Sequence, residues 1–108
     1  MPSDIPVFRV DKFIVPELAK DEFLKLVHET HEILQRQPGF VRDLILQQVE
    51  GPGRFNIVTF VEWARQEFMH AARVVVTRVH GESRFNPQET MARLGISADI
   101  GNYRQVAV

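Results

Sequence analysis

Residues 54–63, RFNIVTFVEW, are apolar on both of the faces that a β-strand would present. Ile57 and Trp63 would lie on one face, and Val58 and Phe60 on the other. A surface strand of an antiparallel sheet usually alternates apolar and polar residues, because one face meets the core and the other meets water. This segment therefore predicts a strand that needs an apolar layer on each side.

The pattern of apolar residues predicts three more strands. In the first, Phe8, Val10 and Ile14 share a face, and Pro16 ends the strand because proline cannot donate to a sheet ladder. The turn at Gly51-Pro52-Gly53 joins the second and third strands as a hairpin. The predicted strands cover residues 7–15, 40–49 and 54–63, and the segment from Asp99 to the end.

Two longer segments and one short segment have helical periodicity instead. The first helix is predicted from about residue 18 to residue 37, where Pro38-Gly39 stops it. The second is predicted to run to about His80, with Gly81 beyond it. Asn86-Pro87 opens a short third helix, and Gly95 closes it. The apolar stripes consist of Phe23, Val27, His31 and Leu34 in the first helix and Phe68, Ala71, Ala72, Val75 and Val79 in the second.

The resulting order, β-α-β-β-α-β with one small helix inserted, is that of the ferredoxin-like α+β fold. We expect a single domain over residues 1–108, with a four-stranded antiparallel sheet and helices on one face. That arrangement leaves Val58 and Phe60 on the opposite face without cover. We therefore expect a homodimer in which two copies pack sheet to sheet.

Composition excludes several classes of protein. The 108 residues carry a formal net charge of −1 and show no basic patch, which argues against nucleic-acid binding. RNA-recognition motifs share the order of elements, but RFNIVTFVEW lacks their strand-three signature. No apolar run is long enough to span a membrane, and with no cysteine a reducing cytoplasm is the expected location.

Motifs for metals and nucleotide cofactors are also missing. The segment His28-Glu29-Thr30-His31-Glu32 is neither HExxH nor HxxEH, and no third ligand accompanies its histidines. The chain has no GxGxxG, no GxxxxGK[ST] and no GxSxG. No metal and no cofactor is therefore expected.

Five short segments point to a known family. They are Phe23-Leu24, Gln37-Pro38-Gly39-Phe40, Phe60-Val61-Glu62-Trp63, Gln66-Glu67-Phe68 and Gly101-Asn102-Tyr103. Through them, and over nearly its whole length, the chain resembles the antibiotic-biosynthesis-monooxygenase-like domains of the dimeric α+β-barrel superfamily. The resemblance implies a homodimer with an apolar pocket between sheet and helices in each copy. It also implies oxidation of a small aromatic compound (an anthrone, quinol or phenol) by O₂ without a cofactor.

The resemblance also suggests site residues. Trp63 matches the pocket tryptophan of the anthrone oxygenases, but Thr59 stands where they have an asparagine. A threonine cannot reproduce the paired donor and acceptor of an amide. Trp63, Thr59 and His80 are expected to be catalytic. The residues expected to contact substrate are His31, Phe68, Ala72 and Val75.

Three alternatives stay open at the level of sequence. The haem-degrading branch fits less well, because Ala71 stands where it has a second tryptophan and His80 falls one residue short of its iron ligand. Haem degradation is therefore rejected as the leading interpretation, whereas binding of haem or flavin is the second alternative and stays open. A non-catalytic dimer that binds a small ligand is the third alternative, since no clear acid-base pair is visible.

Overall fold

The computed structural model describes residues 5–107 and confirms the ferredoxin-like α+β architecture. A single turn of 3₁₀ helix at Glu17–Ala19 precedes the first helix. In chain order the elements are β1 (Val7–Ile14), α1 (Lys20–Gln35), β2 (Phe40–Gln47), β3 (Ile57–Trp63), α2 (Gln66–Glu82), α3 (Pro87–Leu94) and β4 (Ser97–Tyr103).

The four strands form one antiparallel sheet in the order β2-β3-β1-β4. The register of the two central strands sets Val7 opposite Trp63, and Asp11 opposite Thr59. Because paired residues of antiparallel strands share a face, these side chains all point to the same side of the sheet. That side is the one on which the helices pack.

The core between sheet and helices consists of two separate clusters. One surrounds Trp63, and the other surrounds Ile57 at the opposite end of β3. Between them on the same face come Thr59 of β3 and Asp11 of β1, so the apolar core is interrupted by polar residues at its middle. The buried members are Val7, Val61, Trp63, Met69 and Ala72 in the first cluster and Phe13, Val15, Ala19, Phe23 and Ile57 in the second.

Two glycines were predicted to lie just beyond the ends of helices, and only one of them does. Gly39 has a φ of +81° before β2, as expected for a residue that ends a helix. Gly81 was predicted to follow the second helix, and this is wrong: α2 continues through it to Glu82. The hydroxyl of Ser83 then donates to the carbonyls of Val79 and His80 and caps the helix end.

The second face of the sheet is largely apolar and faces away from all three helices. Phe8 and Phe60 stack on it with their ring centroids 5.4 Å apart. Leu44 pairs with Phe60 in the register and is 46% exposed. The structure thus confirms that β3 is apolar on both faces and that the helices cover only one of them. None of the helices in residues 5–107 is long and apolar enough to cross a membrane.

Candidate active site

Two neighbouring cavities of about 310 and 160 Å³ lie between the sheet and the helices, and we call them the two lobes of one site. It occupies the gap between the two apolar clusters of the core. The lobes share a set of lining residues, which we call the waist: Arg9, Asp11, Thr30, His31, Thr59 and Val76. Five of these six residues are polar, so the polar groups of the cavity concentrate where the lobes meet.

The two lobes differ in their surroundings. The larger lobe is mostly apolar and reaches α3 and the segment before it. The smaller lobe ends at Trp63 and carries His70 and Arg73 on its helical wall. Beyond the waist, the larger lobe contacts Phe13, Phe23, Leu26, Val27, Thr77, His80, Phe85, Pro87, Gln88, Thr90, Met91 and Ile100. The smaller lobe contacts Leu34, Val61, Trp63, Met69, His70 and Arg73.

β1 contributes an ion pair to the waist. The Nε of Arg9 donates to Oδ1 of Asp11 at 2.6 Å, and both side chains are largely buried. Burial raises the pKa of the Asp11 carboxyl above its ordinary value, while the hydrogen bond and charge of Arg9 and the nearby His31 oppose that rise. A carboxyl group with a perturbed pKa inside a cleft is typical of functional sites.

α1 contributes a histidine that is bonded to the sheet. His31 is 6% exposed, and its Nδ1 lies 2.7 Å from Oδ2 of Asp43 on β2. The amide of Gln35, one turn further along α1, donates to the same oxygen at 3.1 Å. These bonds fix the imidazole between helix and sheet, with its ring in the wall of both lobes.

The hydroxyl of Thr59 is exposed to the cavity. It is buried at the centre of β3, and no hydrogen bond joins its side chain to another of residues 5–107. Within that range, every side-chain nitrogen or oxygen that is fully buried has a partner. The hydroxyl must therefore be reached from the cavity that Thr59 lines, which makes it available to a ligand.

His80 lies at the far side of the larger lobe. Its Nε2 is 3.5 Å from Oγ1 of Thr30, and its ring meets the edge of Phe85 with centroids 4.9 Å apart. Burial lowers the pKa of the His80 imidazole below its ordinary value. Although the last turn of a helix favours a cation, desolvation here favours the neutral ring.

Four of the residues predicted from the sequence line the cavity. Thr59 and His31 are at the waist, His80 is in the larger lobe, and Trp63 is in the smaller lobe. Trp63 is also a core residue: it is 2% exposed and meets Phe40 edge to face at 5.9 Å.

The remaining three predicted residues, Phe68, Ala72 and Val75, line neither lobe. Phe68 packs at the turn containing Gly39, and Ala72 is buried within the Trp63 cluster. The cavity-facing stripe of α2 is offset by one residue and consists of Met69, Val76 and His80, together with Arg73 and Thr77.

Sequence reasoning missed Arg9, Asp11 and Asp43. A signal for the first two was present, because they alternate with Phe13 on one face of an otherwise apolar strand. Charged residues at that spacing in a strand point to the same side. In residues 5–107, no three His, Asp or Glu side chains come together as a metal site would require.

Solved structures with this fold cover nearly the whole chain. A protein from Shewanella loihica PV-4, provisionally described as a monooxygenase, matches with a TM-score of 0.75 and 15% identity, over 96% of this chain and 97% of its own. SnoaB, a cofactor-independent oxygenase from Streptomyces nogalater, gives 0.66 and 20%, over 96% of each chain. The haem degrader MhuD from Mycobacterium tuberculosis, with two haems in its active site, gives 0.68 and 23%, over 94% and 97%.

At this level of identity the likeness establishes a shared fold. No protein-family model and no curated protein sequence matches the chain.

Proposed function

We propose that this chain is a monooxygenase of the antibiotic-biosynthesis-monooxygenase-like family that needs no cofactor. Its substrate is a small aromatic compound with an ionisable hydroxyl or an equally acidic C–H, as in a phenol, quinol or anthrone. The observation that carries the proposal is the polar waist in the middle of an apolar cavity beside Trp63. The fold shared with a cofactor-independent oxygenase supports it.

The chemistry follows from the walls of the cavity. The apolar lobes take the rings of the substrate, and the waist removes a proton from it. The resulting electron-rich anion passes an electron to O₂, so that the substrate itself supplies the reducing power. The enzyme contributes orientation, removal of water and stabilisation of the anion.

Individual residues have distinct parts in this proposal. Trp63 forms the apolar end wall of the smaller lobe, against which a ring can stack. The Thr59 hydroxyl donates to the oxygen of the bound substrate. Burial lowers the pKa of His80 and so favours the neutral ring, which can accept a proton at the far end of the larger lobe.

The proposed enzyme is a homodimer in which the open faces of two sheets pack together. Two of the charged side chains on that face already pair with each other, since Arg42 Nε lies 2.9 Å from Glu62 Oε1. The face can thus be covered by an apolar surface at a smaller cost in unpaired charge. We place the dimer in the cytoplasm, since the chain has no cysteine.

A second candidate is a dimer that binds an aromatic ligand without changing it. The burial of Trp63 in the core favours this candidate, because packing alone explains the residue. Turnover distinguishes the two functions.

The test is oxygen uptake with product analysis, on metal-free protein given a panel of anthrones and quinols. Thr59→Val keeps the shape of the side chain but removes the hydroxyl, whereas Thr59→Ser keeps the hydroxyl and serves as the matched control. We expect wild-type turnover above the uncatalysed rate, a loss of about tenfold or more in Thr59→Val and in Trp63→Phe, and near-normal turnover in Thr59→Ser. Tight binding without turnover across the panel would favour the ligand-binding dimer.

A further inference from the structure

The bond between His31 and Asp43 fixes which ring nitrogen carries a hydrogen. An ionised carboxylate only accepts hydrogen bonds, so the Nδ1 that lies 2.7 Å from Asp43 must be protonated. In the neutral imidazole the other nitrogen, Nε2, then has a free lone pair. Gln35 holds the same carboxylate oxygen and keeps it in place.

The Nε2 atom of His31 is exposed to the cavity. It makes no hydrogen bond to a residue in the described range, yet every fully buried side-chain nitrogen or oxygen there has a partner. His31 is nearly inaccessible from the protein surface but lines both lobes. The lone pair is therefore reached through the waist.

Charged side chains from two strands lie around His31. Asp43 contacts it from β2, and β1 places Asp11 near it, with Arg9 bonded to Asp11. Two carboxyl groups thus lie near the ring that gains a positive charge when it accepts a proton. Arg9 donates to Asp11 only through Nε, and in residues 5–107 its terminal nitrogens have no hydrogen-bond partner, so they can donate to an anion in the waist. The titratable groups that α2 adds to the cavity wall are His70, Arg73 and His80.

We infer that His31 is the base that takes the hydroxyl proton of the substrate, and that Asp43 is the residue that positions it. In this step the O–H bond of the substrate breaks and an Nε2–H bond forms. The electron pair stays on the oxygen, and the terminal nitrogens of Arg9 stabilise the resulting anion. The ligand class is an aromatic compound whose hydroxyl lies at the waist and whose rings extend into the lobes. This inference rests on the proposed function for its substrate, but it requires no reaction with O₂.

The test uses p-nitrophenol, a phenol whose neutral and ionised forms absorb at different wavelengths. The spectrum of the bound probe is recorded at a pH below its own pKa in water, so that free probe is mostly neutral. We expect wild-type protein to bind the probe mainly as phenolate. His31→Gln should lower the ratio of bound phenolate to phenol by about tenfold or more, and Asp43→Asn should lower it by a smaller factor.

Matched controls lie on the exposed surface of the same helix, α1. His28→Gln makes the same substitution one turn earlier, and Asp21→Asn removes a carboxylate from the first turn. Both should leave the bound spectrum unchanged. NMR of the histidine ring nitrogens, measured without ligand, should show His31 protonated at Nδ1 in wild type. In Asp43→Asn, which loses the carboxylate that fixes it, this preference should be weakened.

The inference is overturned if wild type does not bind the probe, if it binds it only as neutral phenol, or if His31→Gln leaves the phenolate fraction unchanged. A neutral His31 that carries its hydrogen on Nε2 and not on Nδ1 would overturn the inference as well. If the protein ionises the probe but consumes no oxygen with any anthrone or quinol, this inference stands and the proposed oxygenase function is wrong.

Discussion

The open face of the sheet offers the most quantitative test of the proposed dimer. Leu44 on the edge strand β2 lies beside Phe60 and is 46% exposed in the single chain. If two sheets pack together, the exposed half of this side chain becomes buried. Leu44→Glu then places a carboxylate in an apolar interface.

The size of the effect follows from that exposure. Full burial of a leucine side chain contributes about 1.5–3 kcal/mol, so covering the exposed half of Leu44 contributes about 1 kcal/mol in each copy. A two-fold dimer contains the position twice. Desolvation of two unpaired carboxylates adds a few kcal/mol, so the substitution should destabilise the dimer by at least about 4 kcal/mol in total. This corresponds to an increase of about 1,000-fold in the dissociation constant of the dimer.

Sedimentation equilibrium over a wide range of protein concentrations measures that constant. The matched control is Leu18→Glu, since Leu18 is 101% exposed in the short turn before α1 and lies off the sheet. We expect the control to behave as wild type, and Leu44→Glu to be a folded monomer by circular dichroism. A monomeric wild type, or a Leu44→Glu variant that associates as wild type does, would refute sheet-to-sheet packing.

Three further predictions concern stability, each measured by urea unfolding. Gly39→Ala should destabilise the fold by about 2 kcal/mol or more, because φ is +81° there and a Cβ would clash with the ring of Phe68. Gly81→Ala, in open space on α2, should instead stabilise it by up to about 1 kcal/mol; equal effects of the two substitutions would contradict this. Asn56→Ala should cost about 1–3 kcal/mol, since the amide donates to and accepts from the backbone of Val15 at 2.8 Å; an unchanged midpoint would count against it. Because burial raises the pKa of Asp11, its contribution to stability is largest at low pH and is lost as pH rises through the folded-state pKa. Asp11→Asn removes that dependence, so the variant should gain stability relative to wild type as pH rises from acid to neutral; a constant difference would show that this carboxyl is not the cause.

Much of the fold was predictable because its signals are local. The apolar faces of RFNIVTFVEW predicted a strand, and β3 is one, although it begins only at Ile57. The predicted cap at Asn86 is also confirmed, because its side chain accepts from the backbone of Glu89 at the start of α3. Gly95 closes that helix with a φ of +73°. Two members of the predicted α2 stripe are core residues, since Ala72 is buried and Phe68 packs against the Trp63 cluster, but the residues that face the cavity begin one position later, at Met69.

The site was less predictable because it depends on register. Simple alternation from Phe40 would turn Asp43 away from the helices, onto the open face of the sheet. An irregularity between Phe40 and Arg42 shifts the register, so that Asp43 pairs with Val61 on the helix side and meets His31. Nothing in the local sequence signals this shift. The contact between Asp43 and His31 therefore depends on the pairing of β2 and β3 and not on the local sequence.

The most direct test of the oxygenase account is the fate of isotopically labelled O₂ during turnover of an anthrone by metal-free protein. A cofactor-independent monooxygenase oxidises the CH₂ group of the anthrone to a carbonyl. We expect one labelled oxygen atom in the quinone product and the other in water, at a rate that falls in Trp63→Phe and Thr59→Val. Product without label, or labelled product formed equally fast without the protein, would contradict it.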